Sequence, residues 1–375
     1  MAGLTDASGP ARSDDGGPRP LPAVRDDLVA LTGYHSPQVD VSVRLNTNES
    51  PFPPPEGWLR EFQAELADVD FNRYPDRQAG RLRSALAEAH QVAPSQVFCA
   101  NGSNEVLQCL LLAYGGPGRS AALFEPTYTM HGQIARTTGT AVAAGRRTDD
   151  FRLDLGEVSR VLGEAKPVLT FLCSPNNPTG MAEPPATVDA VLALAPGLVV
   201  VDEAYGQFAR STALDLVRSG AASTDRIVVV RTFSKTWSMA GVRLGYLVAS
   251  PEVVAACELV ALPYHLDAVK QLAGRLALRF GDQMERRISV LTEERGRIAS
   301  ALAGLPVETW PSEANFLLFR PVARDAGAVW SGLVARSVLV RDCSTWPGLT
   351  GCLRVTVGLP GENDRFLEAL SEVLR

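Results

Sequence analysis

No stretch of the chain carries the ~18–20 consecutive apolar residues that a membrane-spanning helix needs, so no membrane partner is expected. Basic residues are not in excess. Thirty-six Lys and Arg face 42 Asp and Glu, and the net charge of -6 argues against nucleic acid or an anionic membrane as the main partner. The six cysteines (Cys99, Cys109, Cys173, Cys257, Cys343, Cys352) lack any CxxC spacing. They read as buried free thiols in a reducing cytoplasm rather than as disulfides or zinc ligands. The four histidines (His35, His90, His131, His265) are equally dispersed, and no metal is expected. Residues 1–20 have neither the basic start nor the apolar core of a signal peptide and read as a disordered tail. What is there is ordinary globular composition, 46% hydrophobic and 21% charged over 375 residues, enough for a large lobe and a smaller one.

From about Leu82 to Val248, short apolar runs alternate with helical patterns. The runs are 97–100, 121–124, 168–172, 198–201, 227–230 and 246–248. Unbroken apolar, often β-branched, runs without polar alternation are what strands buried on both faces look like. Between them, Leu82, Ala85, Leu86 and Ala89 keep helical spacing, as do Val188, Val191, Leu192 and Ala195. The alternation predicts an α/β lobe with a mostly parallel central sheet, whose ligands sit at the carboxyl ends of the strands. After about Pro263 a long helical stretch, Lys270 to Ala303, leads into short strands at 316–319, 338–340 and 353–357. A closing helix aligns Phe366, Leu367, Leu370 and Leu374. This part reads as a smaller α+β lobe. The division expected is a tail (1–20), an N-terminal arm packing with the small lobe (21–45), a large domain (46–262) and a small domain (263–375).

Each buried run ends in polar residues. Ile227–Val230 leads to Thr232, Ser234 and Lys235, with Arg243 just beyond. A lysine directly after a buried strand is costly to bury as a free ammonium, and linking it to an aldehyde removes that cost. The hydroxyls and the guanidinium fork suit a phosphate. Leu198–Val201 ends in Asp202, with Tyr205 following; a strand-end carboxylate needs a cationic partner, which a protonated pyridine nitrogen supplies. Val168–Leu172 leads into Ser174-Pro-Asn-Asn-Pro-Thr-Gly180, a rigid loop that aims the Asn177 amide. Val97–Ala100 leads to Asn101-Gly-Ser-Asn104 at a helix start, which offers free N–H groups to a phosphate. Ala121–Phe124 ends near Tyr128, a ring placed for stacking. Taken singly, each has a plainer reading: a surface Ser-Lys, a strand-end acid paired to an Arg or Lys, a turn, a capped helix, a core tyrosine. Together they fit one phosphorylated pyridine aldehyde.

In this order the five segments resemble the fold-type I pyridoxal 5'-phosphate (PLP) aminotransferases, a likeness covering roughly residues 34–375. Within them the chain is most similar to the histidinol-phosphate aminotransferase branch. That likeness rests on Leu45-Asn-Thr-Asn-Glu-Ser-Pro51, Arg73-Tyr-Pro-Asp76, Asn101-Gly-Ser-Asn-Glu105, Leu353-Arg-Val-Thr-Val-Gly358 and Glu362-Asn-Asp364. The resemblance implies that Lys235 holds the cofactor covalently and then moves the substrate α-proton. It implies that Asp202 pairs with the pyridine nitrogen, that Asn177 and Tyr205 hold the ring oxygen, and that Tyr128 stacks on the ring. Ser103, Asn104, Ser234 and Arg243 seat the phosphate, Tyr74 reaches the cofactor of the neighbouring subunit in a homodimer, and Tyr34, Arg341 and Arg354 hold the far end of the substrate. The reaction implied exchanges an amino group between L-histidinol phosphate and 2-oxoglutarate, in the cytoplasm. Ser50, Thr236-Trp237 and the long tail before Leu21 depart from the usual pattern, and Trp237 and the Cys343–Pro347 loop leave the substrate's shape open. The competing readings are an aminotransferase for aromatic or other free amino acids, a PLP decarboxylase of a phosphorylated amino acid, and a PLP-binding regulator.

Overall fold

The computed structural model describes residues 21–29, 31, 33, 38–220 and 224–375. The expected tail, residues 1–20, lies outside them. The chain divides into two units, 1–33 and 34–375. In the first, a one-turn helix, Asp26–Val29, begins beside the exposed Arg25–Asp27 ion pair.

Among the described residues there are twelve strands: β1 (Val43–Leu45), β2 (Val97–Ala100), β3 (Ser120–Glu125), β4 (Ala141–Arg146), β5 (Leu169–Cys173), β6 (Leu198–Asp202), β7 (Ile227–Thr232), β8 (Gly245–Val248), β9 (Val307–Thr309), β10 (Phe316–Pro321), β11 (Val338–Asp342) and β12 (Leu353–Thr356). Seven form one sheet in the order β2-β8-β7-β6-β5-β3-β4, and five form a second in the order β1-β11-β12-β10-β9. In the larger sheet only β8 runs against its neighbours. The other pairs are parallel, as the unbroken apolar runs predict. The runs at 169–173 and 227–232 are buried along their whole length. Side chains on the two faces of this sheet enter separate apolar clusters. Val199, Val201 and Val229 pack toward helices Gly80–His90 and Leu155–Ala165, while Val200, Val228 and Val230 pack toward helices Ser103–Tyr114 and Pro251–Val260.

Three strands were not anticipated. β4 is an alanine-rich edge strand, exposed along much of its length, so it lacks the apolar run that marks its neighbours. β1 and β9 are three residues long and pair at the two edges of the smaller sheet. The long helical stretch expected from Lys270 to Ala303 is two helices, Ala268–Ala277 and Gly281–Leu302, joined by a 3₁₀ turn. The first, which falls within the small domain expected from the sequence, buries Leu272, Ala273, Leu276 and Ala277 in the same cluster as Leu82 and Leu86. Only the second packs with the smaller sheet, through Leu291, Ile298 and Leu302. In the closing helix, Pro360–Leu374, Phe366, Leu370 and Leu374 are buried as expected, whereas Leu367 is half-buried. No helix among the described residues is long and apolar enough to cross a membrane.

β8 starts where helix Ser103–Tyr114 starts. A Cβ on Gly245 would stand 2.3 Å from the backbone nitrogen of Ser103 and 2.5 Å from the carbonyl carbon of Gly102, atoms that no side-chain rotation can move. Gly245→Ala should therefore lower stability by about 1–3 kcal/mol, the usual range for overpacking. Thermal melting checks this: the variant should melt a few degrees below wild type.

Candidate active site

The polar strand ends gather around one cavity of about 500 Å³. Register accounts for this. Leu172 lies opposite Val201, Cys173 opposite Asp202 and Asp202 opposite Val230, so β5 and β6 finish level and β7 runs two residues further along the same edge. Lys235 follows β7 by three residues. Its Nζ donates to the Thr47 carbonyl at 3.0 Å and lies 5.7 Å from the centre of the Tyr205 ring. Burial, with the Arg354 and Arg243 charges adding to it and Glu49 opposing, pushes the amine down to about 7. A share of it is therefore unprotonated at neutral pH, as a nucleophile and proton acceptor requires.

Asp202 is only 1% exposed. One carboxylate oxygen accepts from the Ala204 N–H at 3.0 Å, and the other meets His131 Nε2 at 3.0 Å. A carboxylate accepts, so the ring hydrogen is assigned to Nε2. His131 is fully buried, stacked on Phe171 at 4.8 Å and set edge-on to Tyr128 at 5.3 Å. The Tyr205 hydroxyl accepts from the Asn48 amide at 2.9 Å, and Thr356 donates at 3.0 Å to the other end of that amide. Burial drives the Tyr205 phenol upward, so it stays a protonated donor across neutral pH.

A wall suited to an anion lies elsewhere in the cavity. Helix Ser103–Tyr114 points its free N–H groups into the cavity, and Ser103, Asn104, Thr232, Ser234 and Arg243 line it. Arg243 donates to Ser234 Oγ at 3.4 Å, and Thr232 Oγ1 to the same oxygen at 3.0 Å. Gly102 has φ +87°, and a Cβ there would stand 2.8 Å from Arg243 Nη2. The positive φ is what favours glycine, since the Arg243 tip could shift. The Tyr128 hydroxyl donates to Asn104 Oδ1 at 3.2 Å, which ties the tyrosine ring to this wall.

The smaller sheet supplies two arginines. Antiparallel register sets Arg341 directly opposite Arg354, and both line the cavity at 8% and 5% exposure. Arg354 donates to Asn177 Oδ1 and to the Asn46 carbonyl, the latter at 2.8 Å, with its guanidinium 5.2 Å above the Phe316 ring. Like charges facing each other across a ladder are unfavourable. An anion held between them reverses the sign.

Lys235, Asp202, Tyr205, Ser103, Asn104, Tyr128, Asn177, Ser234, Arg243, Arg341 and Arg354 therefore line one cavity. Tyr74 does not: it is 81% exposed and stacks on Tyr264 at 4.4 Å. Tyr34 lies outside the described residues. His131 and Asn48 were missed. His131 precedes its partner Asp202 by 71 residues, and a lone histidine in a helix carries no mark of a strand-end acid it will meet.

The aminotransferase class I and II family model matches residues 41–370. A histidinol-phosphate aminotransferase of Frankia casuarinae is 47% identical over 370 residues, covering 94% of this chain and 90% of that protein. One of Thermobifida fusca is 46% identical over 354 residues, covering 92% and 94%. Among solved structures, the histidinol-phosphate aminotransferase from Sinorhizobium meliloti in complex with pyridoxal-5'-phosphate superposes with a TM-score of 0.82 at 25% identity, covering 89% of this chain and 91% of that one. The expected fold type and cofactor are thereby borne out. The glycine-lined anion seat, the buried acid and the low-pKa lysine around one cavity fit that cofactor's phosphate, ring nitrogen and aldehyde.

In the cofactor-free protein, Lys235 binds a proton less readily than at its ordinary value of 10.5 in the unfolded chain. Between about pH 7 and 10.5 the unfolded state holds the extra proton, so stability contributed by this site rises with pH across that window. Lys235→Met removes the effect. Melting curves of the cofactor-free proteins should find wild type less stable than the variant at pH 7, with the gap closing toward pH 10.

Proposed function

This chain belongs to the class I and II aminotransferase family and is a PLP-dependent transaminase; from that premise we propose that it exchanges an amino group between L-histidinol phosphate and 2-oxoglutarate, giving imidazole acetol phosphate and glutamate in histidine biosynthesis. The observation that carries the donor is the Arg341–Arg354 pair, two buried cations set opposite each other on the cavity wall. One guanidinium fork suffices for an α-carboxylate, and a second matches a phosphate dianion. Near-half identity to histidinol-phosphate aminotransferases over almost the whole chain supports the same reading.

When bound, PLP supplies the carbonyl that takes up the amine and the ring that withdraws electrons from Cα. The chain's own share is to hold and to move protons. Lys235 Nζ is the covalent anchor and, once released, takes the proton from the substrate Cα. Asp202, fixed by His131 and the Ala204 N–H, holds the ring nitrogen in its charged form. Tyr205 and Asn177 hold the ring oxygen, and Tyr128 covers the ring face. Ser103, Asn104, Ser234 and Arg243 grip the phosphate. Arg354 accepts either the donor phosphate or a glutamate carboxylate, and Arg341 adds the second fork. Among the described residues, Tyr74 is exposed and stacked on Tyr264, and Phe71, Leu259 and Leu262 are exposed as well. That supports a homodimer in which Tyr74 reaches the partner's cofactor phosphate. Six buried free thiols support a cytoplasmic setting.

Lys235→Ala should abolish steady-state transamination while the protein still retains PLP noncovalently. Turnover assays and the cofactor's absorbance check this, and more than a few per cent of residual activity without an added amine would overturn the role of the lysine.

The arginines give the test of substrate. Arg341→Ala should lower kcat/KM for histidinol phosphate by roughly 10- to 100-fold, the value of one charged hydrogen bond of about 1.5–3 kcal/mol, and should lower that for glutamate far less. Arg354→Ala should lower both. If wild type prefers phenylalanine, or treats histidinol and its phosphate alike, the donor assignment fails while the PLP chemistry stands.

A further inference from the structure

A phenol hydroxyl carries one hydrogen and can donate it to one acceptor only. If Tyr205 is to hold the cofactor's ring oxygen, that hydrogen must point into the cavity, and the hydroxyl's other neighbour must donate rather than accept. The ring itself is fixed: it is buried and meets Phe316 edge-on at 5.0 Å. Only the hydrogen is left to turn. The neighbour is the Asn48 amide at 2.9 Å, and an amide can face a hydroxyl with either end.

Thr356 decides which end. The Asn48 backbone N–H can only donate, and it donates to Thr356 Oγ1 at 3.0 Å. The same hydroxyl lies 3.0 Å from the Asn48 amide oxygen. Were the amide turned over, Thr356 would receive two donors, and its own hydrogen, at a buried position, would find no acceptor among the described residues. An unmade hydrogen bond in such a place is costly, so the amide keeps its oxygen toward Thr356. Every hydrogen then has one direction: from the Asn48 N–H to Thr356, from Thr356 to the amide oxygen, from the amide nitrogen to Tyr205, and from Tyr205 into the cavity. The backbone suits the same residue type. Asn48 has φ +56°, a left-handed conformation that glycine and asparagine adopt most readily, and its carbonyl accepts from Asn315 Nδ2 at 3.2 Å.

We propose that Asn48 is a positioning residue: its amide, oriented by Thr356, compels the Tyr205 hydroxyl to donate to the cofactor's ring oxygen. This rests on the assignment of Tyr205 to that oxygen. A hydrogen bond donated there favours the oxygen's anionic form and lowers the affinity of the lysine–cofactor link for its proton.

The readout is the pH midpoint at which the absorbance of the lysine-bound cofactor changes, measured without substrate. Tyr205→Phe, with no hydrogen to donate, should raise the midpoint by about 1–2 pH units, the scale of one hydrogen bond to a charged oxygen. Asn48→Asp should do nearly the same. Its carboxylate can only accept, draws the Tyr205 hydrogen to itself and, with the Thr356 hydroxyl donating as well, stays ionised. Asn48→Gly keeps the left-handed backbone and removes the amide, so the tyrosine hydrogen can turn either way and the shift should be less than half as large. A packing role for Asn48 predicts the reverse order, since Asp fills the space and Gly empties it. A shift in Asn48→Gly equal to or above that in Asn48→Asp would overturn the proposal. Added to Tyr205→Phe, Asn48→Asp should move the midpoint by less than half of what it does in wild type, because no hydroxyl is left to reorient. An undiminished shift would mean that the carboxylate acts by its charge alone, and the proposal fails. Should Asn48→Asp not hold the cofactor, Thr356→Val takes its place: the amide can then turn its oxygen to Tyr205, and the midpoint should rise, whereas Thr356→Ser should leave it as in wild type. An unmoved midpoint in Thr356→Val would decide against the proposal. If Tyr205→Phe itself leaves the midpoint unmoved, Tyr205 does not hold the ring oxygen, and the proposal falls together with that assignment.

Discussion

Three apolar strands that stop within two residues of one another create the demand that the rest of the site answers. Within β5, β6 and β7 every position is buried or nearly so, and register sets Cys173 level with Asp202 and the end of β7 two residues beyond. A parallel sheet has its peptide groups satisfied by its neighbours only as far as the strands run. Beyond that edge the chain must turn among buried surroundings, and each polar group there has to find a partner or face a ligand. Asp202 turns to His131 and a backbone N–H, Asn177 to Arg354, Tyr205 to Asn48, and Lys235 to the Thr47 carbonyl. These partners come from both ends of the chain, so the site is where the two sheets are joined.

Two kinds of buried charge follow. Glu183–Arg147 and Glu203–Arg231 are closed pairs, each cation answered by an anion from the same lobe. Arg341 and Arg354 are arranged differently, like beside like across the ladder, each guanidinium also against an aromatic face. The first arrangement supports the fold. The second suits an anion in the cavity.

Much of this was legible in the sequence because buried parallel strands leave an unmistakable record: short apolar runs, each closed by a polar residue. Six of the seven strands of the larger sheet were visible in that way, and with them Lys235, Asp202, Asn177 and Ser103. β4 was not, because an edge strand that solvent reaches needs no apolar run; its alanines suit helix and strand alike. The helix Ala268–Ala277 continues almost without pause into the next, so its packing against the larger lobe is carried by a 3₁₀ turn that no proline marks. His131 escaped for a different reason. Its burial is decided by Phe171 and Asp202, which lie 40 and 71 residues further along the chain, and nothing local distinguishes it from a helical surface histidine.

β1 carries a consequence for the order of events during synthesis. Among the described residues it pairs only with β11, Val43 lying beside Val338, a separation of 295 residues. Three residues further on, Asn48 takes its partners from Thr356 and Asn315, again near the far end of the chain. A ribosome adding about 5–20 residues per second needs on the order of half a minute to make that span. Throughout that interval the first strand has been made but the sheet it belongs to has not. The larger lobe can fold early, from strands that lie within about 150 residues of one another, but Asn48 cannot bond Thr356 until the last strand is made. The cavity therefore cannot close until β12 is made, and a chain truncated before β12 would lack the cross-strand arrangement of Arg341 and Arg354.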